Sequence, residues 1–499
     1  MRIYESCKLV VLPAAIVCVI TLNLSQVNAG DPLDSVGGVN TENIVSPYAM
    51  GEVKVKAKAL AEGVWKEFPA VTADLLIKEV EAEPNTILDN YGGLVGDNVY
   101  PATGFFYTKK VGERWWIITP DGNPFIHIGV CTVAPASSVN AKSEFQKVFV
   151  TTQAWAEYTV TMLQQNGFNG LGSWSNYSYL RRVDTPLAYT YNWAFMARFA
   201  KKLKLSITQP GHTGFPNDAI LLFHPGFELF CDELVRENIK LFDADPYLLG
   251  YFTDNELPAP VKMLDGYLAL DSSNPDFKPQ YDAAWTWLRE RKGKQDVSLQ
   301  DINPEDRTEF MGYIYGKYFE IVTRVIRKYD SKHMIVGARF HTNNKRNPKV
   351  FELSGKYLDA ISVNYYGRWE PDVTQLRTWE SWGGKPVIIS EFYVKGGDSG
   401  LGNVDGAGWI VPTQDERGIF YQNFVLKLLE SKVCVGWHWF RYIDNDPEDP
   451  KAPVGSRDSN KGIVDIKYQE YIPLLGRMAQ VNRNVYNLVG IIDSELPAQ

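Results

Sequence analysis

Two glutamates sit where an α/β chain does its chemistry. Glu256 closes the run Leu249-Gly250-Tyr251-Phe252-Thr253-Asp254-Asn255-Glu256, which is apolar and aromatic until it ends in polar residues. Glu391 closes Pro386-Val387-Ile388-Ile389-Ser390-Glu391 in the same way. Each run reads as a buried strand surfacing at a working face. Two carboxyl groups opposed across a pocket are what glycoside hydrolysis requires. In the retaining mode they stand about 5–5.5 Å apart, one attacking and the other giving and taking a proton. Glu256 is assigned the proton, because Phe252 and Leu257 beside it would desolvate the carboxyl and raise its pKa. Glu391 is assigned the attack, kept ionised by nearby donors. A lone strand-end glutamate is as readily a solvated or salt-bridged loop residue; the pair carries the functional reading.

Other chemistries lack their residues. The six histidines are scattered without H-E-x-x-H spacing, and no G-x-S-x-G elbow occurs. The acidic stretch 444–449 lacks the EF-hand alternation of ligands with Gly at the sixth position, and reads as a solvated loop. No metal and no cofactor is expected.

The elements that must position the glutamates are eight short apolar strands, at residues 125–130, 168–174, 203–208, 247–253, 333–339, 358–364, 386–390 and 433–440. Helical stretches fall between them, near 145–166, 191–202, 227–241, 310–329 and 414–431, with a last one near 468–481. Strands alternating with helices imply parallel pairing through right-handed crossovers. Eight such units fit a single α/β (β/α)8 TIM barrel with insertions, spanning 112–490 and working at the carboxyl ends of its strands. Strands four and seven of such a ring face each other. An open doubly wound sheet is the alternative, but no G-x-G-x-x-G or P-loop follows the first strand. Before the barrel, residues 30–111 form a short N-terminal extension, an arm or a small β-layer. Residues 114–124 read as a hairpin with an Asp121-Gly122 turn. A polar insert at 258–305 carries Trp285 and Trp287, which could line a substrate wall.

The 499 residues are 45% hydrophobic and 22% charged, an ordinary globular composition. Arg2 and Lys8 precede an apolar run of about 14 residues, short of the roughly 20 a membrane span needs. Small residues ending at Ala29 then offer a cleavage point. Residues 1–29 therefore read as a signal peptide, with an uncleaved anchor as the alternative. The expected location is secreted or periplasmic, with no membrane contact after cleavage. The whole chain carries −8; removing Arg2, Lys8 and Glu5 takes away +1 and leaves −9. That charge does not suit nucleic acid. Cys131, Cys231 and Cys434 remain after cleavage, an odd and sparse set that is no disulfide framework.

Asn255-Glu256 ending strand four and Glu391 ending strand seven resemble clan A of the glycoside hydrolases. Arg114-Trp115-Trp116 with Asp121-Gly122, then residues 250–256 and 437–440, together resemble the β-agarases of glycoside hydrolase family 50. The resemblance covers about residues 112–486. It implies that Asn255 binds the sugar hydroxyl next to the reacting carbon. It implies that Tyr365, with Tyr366 a near-equal candidate, donates to the nucleophile. His212, taken to follow strand three, is a polar site residue. Of Trp437 and Trp439 at the end of strand eight, one is expected to stack on a sugar and the other to face outward; Trp174 is a further platform. His438, between them, is core or site. Arg339, with His341 and Arg368, lies past strands five and six, where it would suit an anionic sugar or serve as a salt-bridge partner. The implied substrate is an agarose-type galactan, polymer or oligosaccharide, with a sulfated galactan such as carrageenan or porphyran, or another β-glycan, as alternative. The reading from another class is a non-catalytic carbohydrate-binding barrel.

Overall fold

The computed structural model describes residues 53–77, 86–96, 100–452 and 455–495. The leader assigned to 1–29 lies outside them. At the centre are eight parallel strands: β1 (His127–Val130), β2 (Gly170–Leu171), β3 (Ala188–Asn192), β4 (Leu248–Phe252), β5 (Met334–Gly337), β6 (Ile361–Asn364), β7 (Val387–Phe392) and β8 (Cys434–Trp439). Each pairs with the next in sequence from β1 to β5 and from β6 to β8, and β8 returns to β1. The ring closes between β5 and β6, where the Phe340 N–H donates to the Ser362 carbonyl at 2.9 Å and the Asn364 N–H to the Phe340 carbonyl at 2.8 Å. This is the (β/α)8 barrel that the strand–helix alternation implies.

The third strand is a correction. The expected strand at 203–208 lies on the surface, and its tip, Ile207–Thr208, pairs antiparallel with Thr213–Gly214 as a small ribbon. The actual β3 reads Ala-Tyr-Thr-Tyr-Asn and has no apolar run to announce it. Its Thr190 is buried because the hydroxyl donates to the Leu171 carbonyl at 3.2 Å. Its Tyr191 packs outward on Trp193 and Phe242. The following helix therefore begins at Phe195, not near 191.

Two of the helices that brace the ring start on reciprocal side-chain caps. Asn303 accepts from the Asp306 N–H while Asp306 accepts from the Asn303 N–H, opening helix Pro304–Tyr329. Thr413 and Glu416 do the same for helix Gln414–Glu430. In the insert, Trp287 packs at 5.1 Å on Phe310 of helix Pro304–Tyr329. It belongs to the helical layer and not to a substrate wall. None of the described helices is long and apolar enough to cross a membrane.

The two mouths of the barrel differ in chemistry. A three-stranded antiparallel sheet (Tyr107–Val111, Arg114–Ile118, Pro124–Phe125) closes the amino end. From it Phe106, Ile117 and Phe125 join Leu249, Met334, Val336, Ile388 and Val435 in one buried cluster. Above this plug, His438 and His127 share a hydrogen bond at 2.8 Å. Gly170 leaves room for the pair, since a Cβ there would lie 2.2 Å from His127 Nε2. Burial lowers the pKa of both rings, His127 to about 4, so the pair is neutral core. His438 thus belongs to the core. Phe252 lies next to it, and the polar carboxyl end begins on top of Phe252. Outside the barrel, the hairpin Val53–Ala57 with Lys66–Ala70 docks on its rim, exchanging two hydrogen bonds between Lys58 and Ile410 and packing Phe68 on Trp369 and Trp409. Cys131, Cys231 and Cys434 are buried and unbridged.

Candidate active site

Five residues just past the carboxyl ends of strands take the left-handed backbone: Thr132 after β1 (φ +54°), Trp174 after β2 (φ +62°), Ala194 after β3 (φ +51°), Glu256 after β4 (φ +51°) and Arg339 after β5 (φ +57°). Each such turn costs a non-glycine residue about 1–3 kcal/mol, so the surroundings must hold it. For Glu256 the holding is visible. Its N–H donates to the Ala338 carbonyl at 3.1 Å, and the Thr253 N–H to the Gly337 carbonyl at 2.9 Å. Asp254, buried in between, accepts from the N–H groups of Met196 and Ala197 and from the Tyr318 hydroxyl. The second acid of the strand-four run therefore sits at the N-terminus of helix Phe195–Lys202, where amide donors and the helix dipole favour a carboxylate. It anchors the turn and leaves Glu256 to the pocket.

Arg339 organises the floor. It is fully buried, and its guanidinium donates through Nε to Asn255 Oδ1 at 2.8 Å, through Nη1 to Ser173 Oγ at 2.8 Å and through Nη2 to Glu391 Oε1. Its plane lies between the Trp174 ring (4.7 Å) and the Phe252 ring (4.9 Å). Glu391, 5% exposed, also accepts from the Tyr366 hydroxyl at 2.7 Å. Glu256, 8% exposed, accepts from Asn364 Nδ2 at 2.8 Å. The Asn364 amide is oriented by Ser390, whose hydroxyl donates to Oδ1 at 2.8 Å. His212 Nδ1 stands 3.6 Å from Glu256 Oε2.

The two carboxyls thus differ in their company. Burial pushes the pKa of both up. At Glu391 the adjoining Arg339 guanidinium is the strongest opposing influence, while the facing Glu256 adds to the rise. No guanidinium hydrogen-bonds Glu256; the largest influence against burial is one amide hydrogen bond from Asn364, followed by His212, Arg339 and Lys345 in the same direction. Among their hydrogen bonds, Glu391 thus has a charged partner and Glu256 a neutral one.

Glu256, Glu391, Asn255, His212 and Trp174 are all brought together. Asn255 has its amide oxygen engaged by Arg339 and Asn364, leaving Nδ2, 3.4 Å from the Gly211 carbonyl, toward the half-exposed side. Trp174 is 39% exposed with Arg339 beneath it. His212 comes from the turn of the Ile207–Gly214 ribbon, within the long β3–β4 connection.

Three expectations are corrected. Tyr365 turns outward, donating to Gln375 Oε1 and packing on Trp379 and Phe424; its neighbour Tyr366 reaches Glu391 instead. Trp437 and Trp439 are both fully buried. Residues two apart on a strand share a face, so both point outward. Trp437 Nε1 donates to the Tyr421 hydroxyl and Trp439 Nε1 to the Lys461 carbonyl, so neither meets a sugar. Arg339 is no rim residue: it lies beneath the carboxylate with three partners already engaged. The residues missed are Ser173, Asn364 and Ser390. Each is a polar residue closing an apolar strand run, the same signal that marks the two glutamates.

A consequence can be measured at Tyr366. Hydrogen bonds to a charged group contribute roughly 1.5–3 kcal/mol. Tyr366→Phe should therefore lower kcat/KM about ten- to a hundredfold, whereas Tyr365→Phe should leave it near wild type. Steady-state kinetics on the two variants checks the assignment.

Among the described residues, His212, Glu256 and His341 form the one group that could hold a metal ion, their ligand atoms lying within 4.8 Å of one another. Burial, followed by His212 and Lys345, lowers the His341 pKa to about 3, so its ring is neutral.

No protein-family model matches the chain. It is similar to β-agarase B of Vibrio sp. (strain JT0107), 22% identical over 90% of this chain and 55% of that protein. It is also similar to β-agarase A of the same strain, 24% identical over 70% of this chain and 38% of that protein. The chain thus spans about half or less of the length of these curated relatives. Among solved structures it matches the crystal structure of BpGH50, with a TM-score of 0.74 and 26% identity, over 89% of this chain and 96% of that one. These matches bear out the resemblance to the family 50 β-agarases and the barrel.

Proposed function

We propose that this chain is a retaining glycoside hydrolase acting on an agarose-type β-linked galactan. The observation that carries it is the asymmetry of the two buried carboxyls: Glu391 is held by Arg339 and Tyr366, while Glu256 faces a neutral amide and a histidine. The first can stay ionised as nucleophile and the second can keep a proton. One Glu391 oxygen attacks the anomeric carbon as the glycosidic C–O bond breaks, and Glu256 passes its proton to the departing oxygen. The result is a glycosyl ester on Glu391. Glu256, now a carboxylate, takes a proton from water, whose oxygen attacks the anomeric carbon and releases Glu391. Asn255 Nδ2 is the donor for the neighbouring sugar hydroxyl, and Trp174 the stacking platform. The names of the similar proteins, both β-agarases, support the galactan. Export by the N-terminal leader suits a polymer that must be cut outside the cell.

The test pairs products with pH. Wild type should release neoagaro-type oligosaccharides from agarose with a bell-shaped kcat/KM profile. The acid limb falls where Glu391 gains a proton, and the alkaline limb where Glu256 loses one. Because burial raises the Glu256 pKa, the alkaline limb lies above the ordinary carboxylate range. Glu256→Ala should cost roughly 10²–10⁴ on agarose. On an aryl β-galactoside whose leaving group needs no acid, the same variant should lose little and show no alkaline limb. An alkaline limb that persists in the variant assigns the proton elsewhere. A wild type inactive on every β-galactan and β-glucan offered, yet binding agarose, supports the carbohydrate-binding alternative.

A further inference from the structure

The chain as a whole carries −8. Beside the carboxyl ends of β7 and β8 it nevertheless gathers four cations, Lys395, Arg417, Arg441 and Lys461, and they divide into two kinds. Lys395 is caged, its ammonium donating to the carbonyls of Asn403, Asp405 and Gly406 at 3.0, 2.9 and 3.3 Å. Arg417 is likewise satisfied by Val394, Gln414 and Gly462. Both are structural. Arg441 and Lys461 are not provided for in this way. Lys461 is 4% exposed, and among the described residues its ammonium has one hydrogen bond, to Ser456 Oγ at 3.3 Å. Arg441 has a buried Nε with no partner among the described residues. The two are adjacent, the Arg441 N–H donating to the Lys461 carbonyl at 3.0 Å.

Their place relates them to the reaction centre. The Lys461 ammonium lies 5.6 Å from the centre of the Tyr393 ring and 5.8 Å from that of Phe440. Tyr393 packs at 5.5 Å on Tyr366, whose hydroxyl holds Glu391, and Phe440 packs at 6.3 Å on Trp174. One layer of aromatic rings therefore separates Lys461 from the nucleophile and from the sugar platform. Neither has an ion pair among the described residues: Asp444 acts on the half-buried Arg441, and Glu391 and Asp405 on the buried Lys461, only from a distance, so an arriving anion relieves part of the cost of burying them. Burial, then Arg441 and Lys395, lowers the Lys461 pKa to about 7, which is the electrostatic mark of the same deficit.

We propose that Arg441 and Lys461 form a subsite for a sulfate ester carried by the galactan near the bond that is cut. The inference rests on the hydrolase reading above and narrows its substrate to a partly sulfated chain. A guanidinium fork and an ammonium together match the oxygens of a tetrahedral oxyanion.

Calorimetric titration of the full-length Glu391→Gln protein tests this without turnover. The probes are neoagarotetraose and a porphyran tetrasaccharide bearing galactose 6-sulfate, each at low and high sodium chloride. The expected result is at least tenfold tighter binding of the sulfated sugar at low salt, an advantage that shrinks several-fold at high salt. Lys461→Met and Arg441→Met, each added to the same protein, should reduce that advantage at least threefold. The neutral sugar is the reference within each variant. If a variant fails to fold, the salt-dependent preference of the parent protein decides. Equal or weaker binding of the sulfated sugar, or an advantage untouched by both substitutions, overturns the subsite. If that outcome accompanies cleavage of agarose by the wild type, the hydrolase reading stands alone. If neither sugar binds, the hydrolase reading falls and the subsite with it.

Discussion

Glu391→Ala is expected to lower kcat/KM on agarose by on the order of 10⁴-fold or more, equivalent to about 5.4 kcal/mol or more of transition-state stabilisation. The loss should be chemical and not structural. Glu391 is buried against Arg339 and Tyr366, and alanine leaves a small polar cavity beside them. Azide is small enough to enter that cavity. With an activated aryl β-galactoside, azide should restore turnover and yield the α-galactosyl azide, the product of direct displacement without a second inversion. Glu391→Gln, which fills the cavity, should show no rescue. Rescue that yields the β-azide would mean that Glu391 is the acid/base and Glu256 the nucleophile, because azide would then be replacing the water of the second step.

Arg339→Met is expected to have the second largest effect, on stability as well as on rate. Removing one partner of a buried ion pair leaves the other charge uncompensated, at a cost of about 3–5 kcal/mol. Here the substitution also frees Asn255 Oδ1 and Ser173 Oγ, the other two acceptors of the guanidinium. Chemical denaturation should show the loss. The pH profile gives the sharper evidence. Arg339 is the strongest influence holding down the Glu391 pKa, which burial otherwise raises. Without it the carboxyl stays protonated to higher pH, so the acid limb of kcat/KM should move upward. Arg339→Lys keeps the charge but not the fork that reaches three acceptors at once, and should recover only part of either effect. An acid limb that does not move would mean that Glu391 is not the group titrating there.

Glu256 and Glu391 were legible in the sequence because a parallel barrel strand is buried on both sides, so a carboxylate at its end stands out against an apolar run. β3 was not legible for the complementary reason. It is built of Tyr, Thr and Asn that find partners only in the folded ring, while the apolar-looking 203–208 stretch is a surface ribbon. Trp437 and Trp439 were misread by assigning opposite faces to residues two apart. The strand period puts them together, and their indole N–H groups are satisfied in the outer layer. Tyr365 and Tyr366 are adjacent in sequence, so the side of β6 on which the chain leaves the sheet decides between them, and no local pattern reports that. Asp254 and Glu256 are both acids at the end of one strand; a helix N-terminus supplied by a distant part of the chain separates their roles. Arg441 and Lys461, distant in sequence, become a pair only because the segment after β8 folds back across its own strand.

The most direct test of the two-glutamate mechanism is the anomeric configuration of the first product, followed by proton NMR before mutarotation sets in. Double displacement through Glu391 predicts that the new reducing end appears as the β-anomer and only later equilibrates with α. Initial appearance of the α-anomer would contradict it: water would then attack directly, and the two carboxyls would have to stand about 6.5–9.5 Å apart as acid and base.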